Sequence, residues 1–355
     1  MSDAPAAPLL VTDDDLLLAD LVRLAAAAGV SPDVARSSEA ALRSWGLAPL
    51  VLVGADRAGE IGRCQPPRRS RVHVVGRGAL PADVFRDALE AGAESVVALP
   101  TSESWLVELM TDVGDGSAVS GLTVGVLGGA GGVGASVFAA ALAQVCAAEA
   151  STLVVDADPL GAGIDRVLGL EHVDGIRWDA LVQATGRLSA RALRDALPRR
   201  DRLSVLSWPV DRTSGLEPFA VREALSAGRR GFSTVIVDLP RHPDPLVDEV
   251  LARCDQLLLV STLTVPAVTA AARVARRLPS GRHVGLVLRG GMAGVAPAEV
   301  GRLLGLPVIA TMGDQRGLDE AISLGVGPAR SRRGPLARAA RGVAAALADR
   351  SRVAA

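Results

Sequence analysis

A glycine-rich segment at residues 127–136, LGGAGGVGAS, has the residue types and spacing of a phosphate-binding loop. It matches the pattern G-x-x-x-x-G-K-[ST] at Gly129, Gly134 and Ser136, but Ala135 stands where the pattern has its lysine. Glycines at such positions allow backbone N–H groups to approach phosphate oxygens at the N-terminus of a helix. The residues expected to bind a nucleotide are Gly129, Ala130, Gly131, Gly132, Val133, Gly134, Ala135 and Ser136.

Lysine is missing from the whole chain, because all 38 basic residues of the 355-residue sequence are arginine. Asparagine and tyrosine are absent too, while alanine, glycine, arginine, valine and proline are abundant, as GC-rich codon usage would give. Such a bias explains arginine in place of lysine on a solvated surface. It explains alanine at a phosphate site poorly, because arginine would have kept the charge. We therefore interpret Ala135 as the loss of a functional group.

The same glycines also fit a second pattern, G-x-G-x-x-G, which is typical of proteins that bind a dinucleotide. Asp156 follows at the end of the next expected strand, where such proteins place an acidic residue on the ribose. The loop by itself therefore leaves two ligand classes open, a nucleoside triphosphate and NAD(P).

Residues further along the chain favour the triphosphate. Asp158 adds a second carboxylate beside Asp156, and the apolar stretch TVIVD ends in Asp238, as a magnesium-orienting Walker B segment does. Ser136 supplies a hydroxyl suited to Mg²⁺. The histidines are isolated in the sequence and provide no evident catalyst for hydride transfer: His73, His172, His242 and His283. We predict ATP and Mg²⁺ as ligands.

Short apolar stretches alternate with amphipathic ones along the chain, which predicts two α/β units with mostly parallel sheets and helices on both faces. The first unit is expected at 1–111 and the second at 122–345, with a glycine-rich linker at 112–121 and a tail at 346–355. Expected strands lie at 8–12, 49–54, 71–75, 94–99, 122–127, 152–156, 203–207, 234–238, 256–260, 284–288 and 307–310. Helices are expected at 15–28, 81–91 and 135–148.

Composition narrows the class of protein. The formal net charge of −1 argues against bulk nucleic acid as the main partner. Cys64, Cys146 and Cys254 lie far apart, with the spacing of neither a metal site nor a disulfide framework. The N-terminus lacks the features of a signal peptide, and no uncharged apolar stretch reaches the roughly 18–20 residues that span a bilayer. These features predict a cytoplasmic protein.

Four segments resemble, in the same order, the ParA/MinD family of deviant Walker ATPases: VGVLGGAGGVGASVFAAALA, TLVVDADPLGAGIDRVLGL, FSTVIVDLP and CDQLLLVSTLTVPAV. The resemblance covers residues 122–345 and is greatest to the CpaE/TadZ branch and its actinobacterial septum-site-determining (Ssd) group. It implies a P-loop NTPase-like sheet and a homodimer. It also implies partners in cell division or in a Tad-type pilus or secretion machine, with recruitment to the septum or a pole.

The resemblance also implies roles for single residues. Asp158 would orient the attacking water as the catalytic residue, and Mg²⁺ would be held by Ser136, Asp156 and Asp238. Arg289 falls at the position of an asparagine that reads the adenine.

Two departures from the family pattern remove positive charge, because the signature lysine falls at Ala130 and the ordinary loop lysine at Ala135. Such cations can be worth several orders of magnitude in the rate of phosphoryl transfer. We therefore expect weak or static ATP binding with little or no hydrolysis. Arg241 and Arg166 are candidate substitutes, although surface arginines are the interpretation favoured by the sequence. A slow ATPase rescued by arginine and a Rossmann-type NAD(P)-binding protein stay open as alternatives.

The first unit resembles a response-regulator receiver domain that has lost its reactive groups. Asp13 and Asp14 follow the first strand, where a receiver binds Mg²⁺, or they only cap the next helix. The phosphoacceptor position falls at Gly54, with Asp56 two residues late, and the expected lysine falls at Leu99. We predict a docking or dimerisation role without phosphotransfer.

One charge cluster lies near the C-terminus and consists of Arg330, Arg332, Arg333, Arg338 and Arg341. DNA phosphates or anionic lipid are alternative partners for it. A solvated helix face is favoured, because the segment has no aromatic anchor for a membrane.

Overall fold

The computed structural model describes residues 7–114, 121–182, 188–209, 218–279, 283–290, 294–329, 331 and 333–354. The chain divides into two compact units, Met1–Ala118 and Val119–Ala355. Each is a sheet covered by helices. Within the described ranges, no helix has the length and apolar character needed to cross a membrane.

The first unit contains a parallel five-stranded sheet in the order β2-β1-β3-β4-β5. This 2-1-3-4-5 order is that of flavodoxin-like doubly wound folds. Its strands are β1 (Leu9–Val11), β2 (Asp33–Ala35), β3 (Val51–Gly54), β4 (Val72–Arg77) and β5 (Ser95–Leu99). Its helices are α1 (Asp15–Ala27), α2 (Ser38–Ser44), α3 (Ala55–Arg63), α4 (Ala82–Ala91) and α5 (Glu103–Gly114).

Helix α1 shows how this sequence forms its elements. Asp14 caps the helix, since its Oδ1 accepts hydrogen bonds from the backbone N atoms of Leu16 and Leu17, at 2.9 and 3.2 Å. Leu17, Leu21 and Leu24 then recur at helical spacing and are buried against the sheet together with residues of α5. Helices α2, α3 and α4 cover the opposite face.

The second unit contains an eight-stranded sheet in the order β13-β12-β11-β6-β10-β7-β9-β8, parallel except for the pair β8 and β9. Its strands are β6 (Leu122–Gly128), β7 (Thr152–Asp156), β8 (Arg199–Arg200), β9 (Leu203–Leu206), β10 (Thr234–Leu239), β11 (Gln256–Thr262), β12 (His283–Arg289) and β13 (Val308–Met312). Its helices are α6 (Ala135–Ala147), α7 (Ile164–Leu168), α8 (Trp178–Val182), α9 (Ala190–Ala196), α10 (Pro218–Gly231), α11 (Pro245–Arg253), α12 (Val265–Ala275), α13 (Pro297–Leu304), α14 (Leu318–Ser323) and α15 (Pro335–Ala354).

The order of the central strands decides between the two patterns that the glycine loop fits. In a Rossmann sheet the first strand pairs directly with the second. Here β10 lies between β6 and β7, and β6 pairs with β10 and β11. The Rossmann alternative is therefore wrong for this fold. The expected receiver-like unit followed by a P-loop NTPase-like parallel sheet is confirmed.

Two helices extend into segments that the sequence assigned differently. Helix α5 continues to Gly114, inside the expected linker, because Val113 packs into the core of the first unit. Helix α15 continues to Ala354, so residues 346–354 prolong this helix instead of forming a separate tail. Its Leu347 is buried in the core that α15 shares with α6. Glycine and small-residue composition alone does not end a helix that still has an apolar side chain to bury.

Candidate functional site

The glycine loop joins the end of β6 to the start of α6 and has the backbone geometry that its glycines allow. Gly132 and Gly134 adopt left-handed conformations with φ of +73° and +92°. Gly134 is the N-cap residue of α6, and as a glycine it has no side chain to cap the first turn. The N–H groups at the start of α6 are therefore left for an anion.

Close packing fixes Gly129, the first glycine of the G-x-x-x-x-G pattern. The Gly129 N–H donates to the Val260 carbonyl oxygen at 2.8 Å, which ties the loop to β11. A Cβ atom built on Gly129 would lie 2.5 Å from the Ala271 Cβ of α12, closer than two such atoms can approach. The loop is thus held against its neighbours before any ligand binds.

Ser136 and Asp238 meet at this edge of the sheet. Asp238 lies at the end of β10 and Ser136 in the first turn of α6, close enough for the Ser136 hydroxyl to lower the pKa of the Asp238 carboxyl group. Asp238 is 4% exposed. The pKa of its carboxyl group is raised to about 8, first by burial and then by the neighbouring charge of Asp156, while the Ser136 hydroxyl opposes the shift.

Asp156 organises the turn that follows β7. It is 1% exposed, and burial raises the pKa of its carboxyl group to about 6. Its Oδ1 accepts from the Asp158 N–H at 3.1 Å. Its Oδ2 accepts from the Ile164 N–H at 2.9 Å and from the Ser207 hydroxyl at 3.0 Å. Because both oxygens are already used by the protein, Asp156 fits a positioning role better than the predicted metal role.

Asp158 is less enclosed than Asp156. Its side chain is half-buried, and its Oδ1 accepts from the Leu160 N–H at 3.0 Å. This bond fixes the turn after β7 and leaves Oδ2 without a hydrogen bond from the described residues. The position at the strand end is the one that the sequence predicted for a water-orienting carboxylate.

The oxygen donors at this edge fit a magnesium ion. Ser136 and Asp238 offer a hydroxyl and a carboxylate, which are hard ligands of the kind Mg²⁺ prefers. Among the described residues no group of three or more His, Cys, Asp or Glu side chains could hold a metal ion by itself. Mg²⁺ here would draw its remaining ligands from nucleotide phosphates and water, as is usual for this ion.

Two arginines flank the glycine loop. A Cβ atom built on Gly131 would lie 3.8 Å from Arg241 Nη2, so this guanidinium stands beside the loop. A Cβ atom built on Gly134 would lie 3.4 Å from Arg289 Nη1. Arg166, the other candidate substitute, instead lines a cleft of about 580 Å³ with residues such as His172 and none of the loop residues.

The location of Arg289 differs in detail from the sequence-based expectation. Its alignment with an adenine-reading asparagine predicted a contact with the base. The structure places its Nη1 near Gly134, at the start of α6, and its Nε donates to Asp314 Oδ1 at 2.8 Å. Asp314 was not predicted, because it follows β13 and nothing in its local sequence links it to Arg289.

The receiver-like unit has its own acidic edge, and there Asp56 takes the place of the missing acceptor. A Cβ atom built on Gly54 would lie only 2.1 Å from Asp56 Oδ1, so the Asp56 carboxylate occupies the space of an acceptor side chain. Its oxygens accept from the Thr12 hydroxyl and the Asp13 N–H, both at 2.8 Å. Arg57 pairs with Asp13 at 3.2 Å, where a receiver would hold Mg²⁺.

Comparison with known sequences identifies the family. Residues 11–120 match a family described as the Rv3660c-like, CheY-like N-terminal domain. Over 334 residues the chain is 37% identical to the uncharacterized protein Rv3660c of Mycobacterium tuberculosis strain H37Rv, covering 92% of this chain and 94% of the relative. The chain belongs to the Rv3660c-like family. The same values hold for the uncharacterized protein MT3760 of strain CDC 1551.

Solved structures match the second unit of this Rv3660c-like chain. The septum site-determining protein MinD of Pyrococcus horikoshii, complexed with Mg-ADP, superposes with a TM-score of 0.57 and 18% identity, covering 66% of this chain and 98% of that one. A ParA family ATPase of Chlorobium tepidum gives a TM-score of 0.56 and 19% identity, covering 62% and 96%. At these identities the likeness establishes a MinD/ParA fold.

The geometry of the receiver-like unit predicts that this Rv3660c-like chain does not accept a phosphoryl group. Leu99, at the lysine position, is 3% exposed and packs in the core with α1 and α5, where it cannot reach a phosphate. After incubation with acetyl phosphate and Mg²⁺, intact-mass spectrometry should show an unchanged chain. Asp56→Asn, which removes the carboxylate nearest to the acceptor position, is the matched control. A phosphorylated wild-type chain that loses the label on Asp56→Asn substitution would contradict the prediction.

Two residues of the arginine cluster near the C-terminus, Arg330 and Arg332, lie outside the described residues. Arg333, Arg338 and Arg341 are exposed, and Arg338 Nη1 donates to the Arg333 carbonyl oxygen at 3.0 Å. Arg338 and Arg341 lie one turn apart on α15. This arrangement agrees with a solvated helix face.

Proposed function

We propose that this protein is a MinD/CpaE-like spatial regulator that binds ATP weakly or statically and hydrolyses little or none of it. The observation that carries the proposal is a phosphate loop with preserved backbone geometry and alanine at both lysine positions. Gly132 and Gly134 adopt left-handed conformations, and Ser136 lies beside the Asp238 carboxyl group. A loop that had lost all function would be free of these constraints.

The chemistry of phosphoryl transfer supports binding without turnover. Backbone N–H groups and the Ser136–Asp238 pair can hold the ground state of a nucleotide and its Mg²⁺. Hydrolysis further requires cations where negative charge develops on the transferred group. Ala130 and Ala135 offer none. In this proposal Asp158 can orient water, but the step it would assist stays slow.

The biological setting is proposed by similarity to positioning proteins. The solved structures that resemble the second unit include a MinC:MinD cell division complex of Aquifex aeolicus and an ATP complex of a McdA variant of Cyanothece. We propose that this chain likewise forms a homodimer in the cytoplasm. It would recruit cell-division or Tad-type pilus or secretion proteins to the septum or a pole, as the CpaE-like and Ssd resemblance suggests.

Calorimetry and a phosphate-release assay test the proposal together. Titration of the purified chain with ATP, ADP and NAD in Mg²⁺ should show binding of the adenine nucleotides, and phosphate release should stay at the level of buffer. Ser136→Ala, which removes the hydroxyl at the magnesium edge, should weaken binding of Mg-ATP more than of ATP in EDTA. Binding of NAD without binding of ATP would contradict the proposal.

A slow ATPase is the second candidate, because Arg241 stands beside Gly131 and could supply charge to the phosphates. This candidate predicts a measurable rate of phosphate release that Arg241→Ala abolishes. ATP turnover that persists after removal of contaminating ATPases, and that depends on Arg241, would favour the slow ATPase over the static ATP-binding protein.

A further inference from the structure

We propose that Arg241 and Arg289 form a guanidinium clamp that binds the phosphate chain of a nucleotide from positions beside Gly131 and Gly134 of the glycine loop. The clamp brings positive charge to the bound phosphates of the ground state and so contributes affinity that the two missing lysines no longer give. This inference rests on the proposed nucleotide binding and adds to it the residues that provide affinity and the part of the ligand that they recognise.

Arg241 has the properties of a phosphate ligand rather than of an ordinary surface arginine. It follows β10 by two residues, so the strand that carries Asp238 also places Arg241 at the loop. Its Nη2 lies 3.8 Å from the Cβ position of Gly131. Its guanidinium is exposed, and it makes no ion pair with any carboxylate in the described parts of the chain. An unpaired cation beside backbone N–H groups favours an anion there.

Arg289 approaches a second position of the loop. Its Nη1 lies 3.4 Å from the Cβ position of Gly134, next to the first turn of α6. Asp314 engages Nε at 2.8 Å and so holds the guanidinium, while the terminal nitrogens have no hydrogen bond to any residue that the structure describes. Guanidinium groups present planar pairs of donors that match phosphate oxygens.

The two guanidinium groups stand beside loop positions that are three residues apart. Arg241 stands at Gly131 and Arg289 at Gly134, so a phosphate chain lying along the loop meets a cation at each position. In this clamp both guanidinium groups contact the phosphates, so the phosphates contribute most of the affinity. Recognition then depends on the polyphosphate more than on the base.

Calorimetry with Mg-ATP and with sodium tripolyphosphate tests the clamp on the full chain. Arg241→Ala and Arg289→Ala should each weaken both ligands by about tenfold, the scale of one charge-assisted hydrogen bond. Arg241→Lys, which keeps the charge but loses the planar pair of donors, should fall between the wild type and Arg241→Ala. Arg302→Ala is the matched control, because Arg302 is an exposed arginine of α13 without an ion pair among the described residues. It should bind like the wild type.

The outcomes separate the clamp from the proposed function. If ATP and tripolyphosphate bind the wild type and both alanine variants equally well, the clamp is wrong and nucleotide binding stands. If tripolyphosphate binds in an Arg241-dependent way while ATP does not bind, the clamp stands and the proposed nucleotide function fails. Binding of neither ligand to the wild type overturns both. Circular dichroism should show that the variants stay folded, since neither side chain is part of a core.

Discussion

Replacement of Ala135 by lysine is expected to raise the affinity of the chain for Mg-ATP by about tenfold to a hundredfold, the range of one or two strong charge-assisted contacts. Ala135 is the first residue of α6, directly after the left-handed Gly134, which is the position from which a loop lysine reaches the β- and γ-phosphates. The backbone is already shaped for this contact, so the side chain is the only missing part. Calorimetry with Mg-ATP measures the gain.

A matched control separates this local effect from the added charge. Ala148 lies directly after the last residue of the same helix, and Ala148→Lys adds an identical cation at the opposite end. It should leave the affinity for ATP unchanged. A folded Ala135→Lys variant without tighter binding would mean that the loop no longer holds phosphates.

Combining Ala135→Lys with Arg241→Ala tests the guanidinium clamp. If Arg241 supplies charge that a loop lysine would otherwise supply, Ala135→Lys should gain more affinity in the Arg241→Ala chain than in the wild type. Such non-additivity is expected for residues that share one ligand. Equal gains in both backgrounds would show that Arg241 and residue 135 act on different parts of the ligand.

Local sequence was sufficient to predict the loop, the strand that ends in Asp238 and most strands of both sheets. These features depend on residues adjacent in the chain, such as glycine spacing and continuous apolar stretches. The strands β2 and β8 were not predicted, because they are only three and two residues long and lack an apolar run. Their pairing with β1 and β9 is what defines them.

The contacts that give single residues their roles could not be predicted in the same way. The Asp156 carboxylate accepts three hydrogen bonds, one of them from Ser207, 51 positions away in the chain. Arg289 reaches Gly134 only because β12 and β6 belong to one sheet. Asp56 is held above Gly54 by hydrogen bonds from Thr12 and Asp13, which lie 44 and 43 positions away in the chain. Each depends on distant segments meeting in the fold.

In EDTA, the free energy of unfolding is expected to fall as the pH rises from about 4 to about 8. In the folded chain the pKa of Asp156 is raised to about 6 and that of Asp238 to about 8, both above the ordinary value of 3.8. Between these values the folded state holds protons that the unfolded chain has released, so stability decreases with pH. The slope approaches about 1.4 kcal/mol per pH unit for each such group.

The two carboxyl groups contribute over different ranges of pH. Both contribute from about pH 4 to about pH 6, and Asp238 alone contributes from there to about pH 8. Asp238→Asn keeps the size of the side chain and one oxygen beside Ser136, but it cannot ionise. The free energy of unfolding of the variant should therefore no longer fall between pH 6 and 8. At pH 8.5 the variant should be more stable than the wild type by a few kcal/mol, because the ionising group costs the wild type about 1.4 kcal/mol per pH unit.

Urea denaturation followed by tryptophan fluorescence measures this difference, since Trp178 is buried in the second unit and donates to the Asp156 carbonyl oxygen at 2.7 Å. Asp319→Asn, an exposed position on α14, should keep the wild-type dependence on pH. A wild-type stability that stays level or rises between pH 6 and 8 would mean that Asp238 is already ionised in the fold. Mg-ATP should flatten the decline, because a bound cation favours the ionised carboxylate and must displace its proton.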